Sequence, residues 1–148
     1  VAKISAAEVL KNRIKLDQLS TEQSNNLQLL LTRVNKLLAG YEVPVIVSSG
    51  YRSPALNAST AGAALKSYHL QCAAVDIADA DAKFWAYCAQ HLAKCKQLGL
   101  WLEDKRWTPT WVHLQIYAPK SGKRIFVPSS SPAPAPTLFS GAYNANHD

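Results

Sequence analysis

Leu100-Trp-Leu-Glu103 and Trp111-Val-His-Leu-Gln-Ile116, joined by Asp104 to Thr110, are the two stretches on which the reading of this chain turns. Both are short and largely apolar, with Trp101 in the first and Trp111, Val112 and Ile116 in the second, so they read as the third and fourth strands of a sheet. The connection between them is long enough for an irregular hairpin. Upstream, Val43-Pro-Val-Ile-Val47 and Ala73-Ala-Val-Asp-Ile77 read as the first and second strands, and Arg124-Ile-Phe-Val127 as a last short one. Ser48-Ser-Gly-Tyr-Arg-Ser-Pro54 has loop chemistry, and Ala55 to Leu65 reads as an irregular excursion or a short helix.

Helical signals flank the strands. Ser20 and Gln23 have capping-box spacing. Leu27, Leu30, Leu31, Val34, Leu37 and Leu38 then recur at three- and four-residue steps, which makes one apolar face with Gly40 as its stop. A weaker helix is expected from about Ser5 to Asn12. Asp79 or Asp81 can cap a further helix, in which Phe84, Cys88, Leu92 and Cys95 share a face and Gly99 is the end. The expected fold is α+β: a small antiparallel sheet with helices packed against it, spanning residues 1–128. Residues 129–148 read as a proline-rich spacer, Ser129-Ser-Ser-Pro-Ala-Pro-Ala-Pro136, and a tail able to dock only through Leu138, Phe139 and Tyr143.

Composition bounds the function. A length of 148 residues suits one domain, and 48% hydrophobic with 18% charged residues excludes wholesale disorder. No apolar run approaches the roughly 20 residues of a membrane span. The opening Val1-Ala-Lys-Ile-Ser5 resembles neither a signal nor a transit peptide, and the absence of methionine, even at position 1, fits a removed leader or a trimmed start. The net charge of +6 favours polyanionic partners or simply a solvated basic surface. The basic residues are scattered without interleaved aromatics, which argues against a nucleic-acid site. Cys72, Cys88 and Cys95 form no CxxC pair, so a thiolate zinc site is not expected. On one helix Cys88 and Cys95 stand about 10.5 Å apart, too far for a disulfide, and buried free thiols are the simpler reading.

Of the histidines, His91 falls within a helix and His147 in the tail, whereas His69 and His113 each sit beside a strand and near a carboxylate. With Asp76 they would make a two-imidazole, one-carboxylate metal set with an open position for water. Ordinary polar residues at strand ends would show the same spacing.

Ser48-Ser-Gly-Tyr-Arg-Ser53, Ser67-x-His69, Asp76 and Trp111-Val-His113, in that order, resemble peptidase family M15. This is the family of zinc D-Ala-D-Ala carboxypeptidases and L-alanyl-D-glutamate endopeptidases, which shares its fold with the Hedgehog signalling domain. The resemblance covers about Leu27 to Pro128 and is strongest to short bacterial and phage members. It implies zinc (Zn2+) held by His69, Asp76 and His113. It implies Arg52 as a catalytic and substrate-binding residue that meets a substrate carbonyl or carboxylate, the alternative being a salt bridge that pins its loop. It implies Tyr51 and Ser67 also at the substrate, with Ser67 ordering the loop around His69 rather than reacting. Tyr51, Trp101, Trp107 and Trp111 lie near the implied cleft, mostly as packing residues, with one or two lining a groove.

Two departures stand out. Many members place a glutamate three residues before the last histidine; here that position is Thr110, and Glu103 becomes the expected catalytic base, with Asp104 in reserve. Glu103 would lie across a hairpin from His113, or else merely end a strand in solvent. Cys72 replaces a usual glycine, which requires a negative φ there and brings a thiol close to the metal as a stray ligand or disulfide partner. The implied function is hydrolysis of a peptide bond in peptidoglycan stem peptides by zinc-bound water, in a monomer working in the periplasm or cell wall, secreted or phage-encoded. The alternatives are a catalytically inactive wall-binding or structural module on the same fold and a Hedgehog-like interaction domain with structural zinc.

Overall fold

The computed structural model describes residues 2–60, 63 and 67–128. The spacer and tail at 129–148, with His147, lie outside the described residues. The fold is α+β, with five α-helices and a five-stranded sheet among the described residues. The helices are α1 (Ala6–Leu10), α2 (Thr21–Tyr41), α3 (Pro54–Ser59), α4 (Lys83–Gln90) and α5 (Leu92–Leu98). The strands are β1 (Val47–Ser49), β2 (Ala74–Ala78), β3 (Trp101–Glu103), β4 (Trp111–Gln115) and β5 (Ile125–Phe126), in spatial order β1-β2-β4-β3-β5. The pairs are antiparallel except for β3 with β5, which is parallel, so the sheet is mostly antiparallel.

Register divides the sheet into rows of directly opposite residues, and such residues point to one face. Val75 opposes Leu114, Leu114 opposes Leu102, and Leu102 opposes Ile125. All four are buried in one core cluster together with Leu30, Val34, Leu37, Phe84 and Leu100 from the helical layer and its margin. Each such side chain contributes about 1.5–3 kcal/mol through burial, and this row seats the sheet on the helices. The next row reads Ser49, Asp76, His113, with Phe126 opposite Glu103 at the other edge. Extending the Leu102–Leu114 pairing by one residue sets Glu103 opposite His113. A polar row thus lies one step along from an apolar one, because side chains alternate faces along a strand.

Ser20 caps α2 through a reciprocal capping box with Gln23, as the spacing predicts. Gly40 does not stop the helix. α2 runs on to Tyr41 and closes with Glu42 in the left-handed region at φ 61°. Gly40 is instead the point where Tyr87 packs on α2: the Tyr87 hydroxyl donates to the Leu37 carbonyl at 3.3 Å and occupies the space a Cβ would need. The first strand begins at Val47, not Val43. Ile46 is 72% exposed, and Pro44 has no N–H to give a ladder.

The helix expected between Asp79 and Gly99 is two helices, broken at His91 (φ −112°, ψ 37°). The cap position of α4 falls on Ala82, in the left-handed region at φ 62°, rather than on Asp79 or Asp81, but both carboxylates reach the first-turn N–H groups. The Asp79 carboxylate accepts the N–H groups of Phe84 and Trp85 at 2.9 Å, and Asp81 accepts that of Lys83 at 3.1 Å. Gly99 ends α5 with φ 72°. The break removes the straight-helix separation of Cys88 and Cys95: the Cys95 Sγ lies 3.9 Å from the Cys88 carbonyl oxygen, and both are buried free thiols.

Gly50 fixes how α1 meets the sheet. A Cβ there would overlap the Val9 carbonyl, which accepts the Tyr51 N–H at 2.8 Å. Gly50→Ala is expected to destabilise the protein by about 3 kcal/mol, since backbone rather than a movable side chain stands in the way. Urea denaturation checks this; an unchanged midpoint would refute the close approach.

Candidate metal centre

Asp76 stands at the middle of the polar row. Its Oδ1 lies 2.8 Å from His113 Nδ1, and its Oδ2 lies 3.3 Å from His69 Nε2 and 3.6 Å from an Arg52 Nη. His113 arrives from β4 by direct strand pairing. His69 arrives from the short 3-10 turn Tyr68–Gln71, whose cap is Ser67: the Ser67 Oγ accepts the His69 N–H at 3.2 Å. Ser67 therefore orders the turn. Arg52 leaves the loop after β1, where Ser53 and Pro54 start α3 by a side-chain cap and a first-turn proline. Its backbone N–H donates to the His69 carbonyl at 3.3 Å. Its guanidinium also reaches Ser49 and Asn57, each at 3.4 Å.

The outward nitrogens of both imidazoles are engaged. His69 Nδ1 meets the Gly50 carbonyl oxygen at 2.9 Å, and His113 Nε2 meets Gln115 Oε1 at 2.8 Å. That leaves His69 Nε2, an Asp76 oxygen and His113 Nδ1 facing one another, all within 4.8 Å. Two nitrogens and one carboxylate oxygen, with their far sides held by acceptors, form a donor set able to bind a metal ion.

Burial by itself would raise the Asp76 carboxyl, but hydrogen bonds and charge from His113 and His69 outweigh it and hold it well below the usual range. Burial likewise works against a charged His113, yet its hydrogen bond to Asp76, with that carboxylate's charge, Glu103 and Gln115, raises it to about 9. Burial keeps His69 below its ordinary value, so it stays neutral. Glu103 is pushed up, first by burial and further by Asp76 and Asp104, with His113 opposing.

Other expected residues fall differently. Tyr51 is buried in the core cluster, and its carbonyl accepts from Arg13 at 2.7 Å. The Asp104 carboxylate is taken by its own turn, accepting from the Arg106 backbone and guanidinium at 2.8–3.0 Å. Thr110 is exposed, and its carbonyl accepts the Asp79 N–H. Trp101 stacks under Arg124, whose Cζ stands 3.6 Å from the ring centre. Cys72 corrects the expectation of a negative φ: it ends the His69 turn in the left-handed region at φ 56°. Its backbone N–H donates to the His69 carbonyl at 3.4 Å, which fixes that geometry at the cost of a strained non-glycine residue. Its thiol is free, buried and pushed up by burial to about 11, outside the donor group.

Sequence reading missed the Gly50 carbonyl, Asn57 and Gln115. Gln115 was within reach, since two residues on from His113 in a strand is the same face.

A buried His-Asp-His set on a sheet face, with an arginine against its carboxylate, defines this as a candidate metalloprotein. A family model described as peptidase M15 matches residues 3–115, and the chain belongs to that family. Membership suggests a metallopeptidase and implies peptide substrates. The chain matches no curated protein and no solved structure. No helix among the described residues is long and apolar enough to cross a membrane.

In the metal-free protein His113 carries two N–H donors below about pH 9, one of them at the metal-facing Nδ1. A metal ion must displace that proton, while His69 and Asp76 are already ligand-ready. Affinity is therefore expected to rise about tenfold per pH unit from roughly pH 6.5 to 8.5, releasing about one proton per ion. Chelator competition at several pH values measures it, and pH-independent affinity would contradict a protonated His113 in the metal-free protein.

Proposed function

We propose that the protein is a zinc metallopeptidase that hydrolyses a peptide bond in bacterial peptidoglycan stem peptides. It would act as a monomer in the periplasm or at the cell wall, as a D-Ala-D-Ala carboxypeptidase or an L-Ala-D-Glu endopeptidase. The observation that carries the reading is the buried His69–Asp76–His113 donor set inside the stretch matched to peptidase M15. Two histidines and a carboxylate suit zinc. A bound zinc ion would supply Lewis-acid polarisation of a carbonyl and a water made acidic enough to react near neutral pH.

The protein's own residues would do the rest. Glu103, opposite His113 by register, is the candidate proton carrier. Its raised affinity for protons brings it towards the range in which a carboxylate can take a proton and return it to a leaving amine. The Arg52 guanidinium, held by Asp76, Ser49 and Asn57, would receive a substrate oxygen with a planar pair of donors. Ser67 keeps His69 in place through the turn it caps. The +6 net charge favours substrates with free carboxylates.

Glu103→Gln separates an enzyme from an inactive wall-binding module. Purified peptidoglycan fragments would be digested with and without a chelator and read by mass spectrometry. The enzyme reading expects chelator-sensitive cleavage and a loss of at least about 100-fold in the variant, with zinc still bound. Loss of a single alanine would identify the carboxypeptidase, and release of stem peptides the endopeptidase. No cleavage by zinc-loaded, folded wild type would overturn the enzyme reading. It would favour wall binding, or a structural zinc whose removal lowers only the melting temperature.

A further inference from the structure

Gln115 is buried at 3% exposure beside the metal centre and makes two hydrogen bonds of 2.8 Å. Its Nε2 donates to the Tyr117 carbonyl, which can only accept. That contact fixes the amide orientation and turns Oε1 towards His113 Nε2. Oε1 has no proton to give, so the imidazole must carry its hydrogen on Nε2. A neutral histidine protonated on Nε2 has its lone pair on Nδ1, and Nδ1 is the nitrogen that faces Asp76.

The Tyr117 end is itself anchored. The Tyr117 hydroxyl and the Asn26 amide are within hydrogen-bond distance of each other, at 2.8 and 3.1 Å for the two amide atoms. The same buried Asn26, on α2, donates to the Gln71 carbonyl at 3.0 Å, in the turn that carries His69. Gln23, one helical turn earlier, donates to the Leu70 carbonyl at 3.0 Å. One face of α2 therefore braces both histidine-bearing segments, and Gln115 is the last link on the His113 side.

We propose that Gln115 is a positioning residue that selects the nitrogen His113 presents to a metal ion. The inference rests on the metal-binding reading of the site but not on peptidase activity. It differs from a packing role in a way two variants separate. Gln115→Leu keeps the approximate volume and removes the acceptor. Gln115→Glu keeps an acceptor for His113 and removes the donor to Tyr117.

The test is zinc affinity of the full chain by chelator competition, with thermal melting of the metal-free forms alongside. Gln115→Leu is expected to bind zinc about 10–100-fold more weakly, and Gln115→Glu within about threefold of wild type even if it melts earlier. Equal loss in both variants, tracking the fall in melting temperature, would make Gln115 a packing residue and overturn the proposal. If Gln115→Leu does not fold, nitrogen-15 imidazole spectra of zinc-loaded wild type decide. A slowly exchanging proton on His113 Nε2 supports the proposal, and zinc on Nε2 refutes it. Failure of wild type to bind zinc at all would remove the metal-binding reading itself, before any variant is compared.

Discussion

The Asp76 carboxylate is the constraint around which the rest of this structure is arranged. A buried carboxylate left unpaired costs several kcal/mol, and one whose partners are well placed does not. Here the partners are His113, His69 and Arg52, delivered by three separate segments. Strand β4 must pair with β2 in one register to bring His113, the 3-10 turn must close to bring His69, and the loop after β1 must fold back to bring Arg52. A slip of one residue between β2 and β4 would turn His113 to the opposite face and leave a charge without its donor. The polar site and the sheet register are therefore one problem with one solution.

The apolar row beside it solves the same problem from the other side. Val75, Leu114, Leu102 and Ile125 reach the core only in the register that aligns Asp76 with His113. Hydrophobic burial supplies the larger energy, and the polar row supplies directional contacts that reject alternatives. The site sits largely on strands and on a capped turn braced from α2, so its side chains are held without a loop's freedom. The irregularity between Val47 and Ser49 lets β1 leave the sheet next to Asp76 and start the loop that carries Gly50 and Arg52.

Expectations from local pattern succeeded where the signal and its cause were both local. The Ser20 cap, the Gly99 stop and the strand at Trp111 each depend on neighbours within a few residues. They failed where a distant residue decided. Gly40 reads as a stop until Tyr87, from another helix, is seen to need its missing side chain. Cys72 reads as a residue that must avoid positive φ, yet it adopts it, because its N–H closes the turn on His69 and its side chain is buried in the core. The Cys88–Cys95 separation assumed a straight helix, and the chain bends at His91.

The sequence by itself determined the alternation that makes two-faced strands, the helix starts, the three candidate metal ligands and their order, because these are written in residue type and spacing. Only the tertiary structure decided which nitrogen of each imidazole faces the centre, that Arg52 lies against Asp76, that Asp104 is consumed by Arg106 while Glu103 aligns with His113, and that Gln115 stands behind His113. Those facts depend on atoms far apart in the chain, from Gly50 to Tyr117, meeting at hydrogen-bond distance. Spacing along a chain carries no such information; the packing of helices on one register of the sheet does.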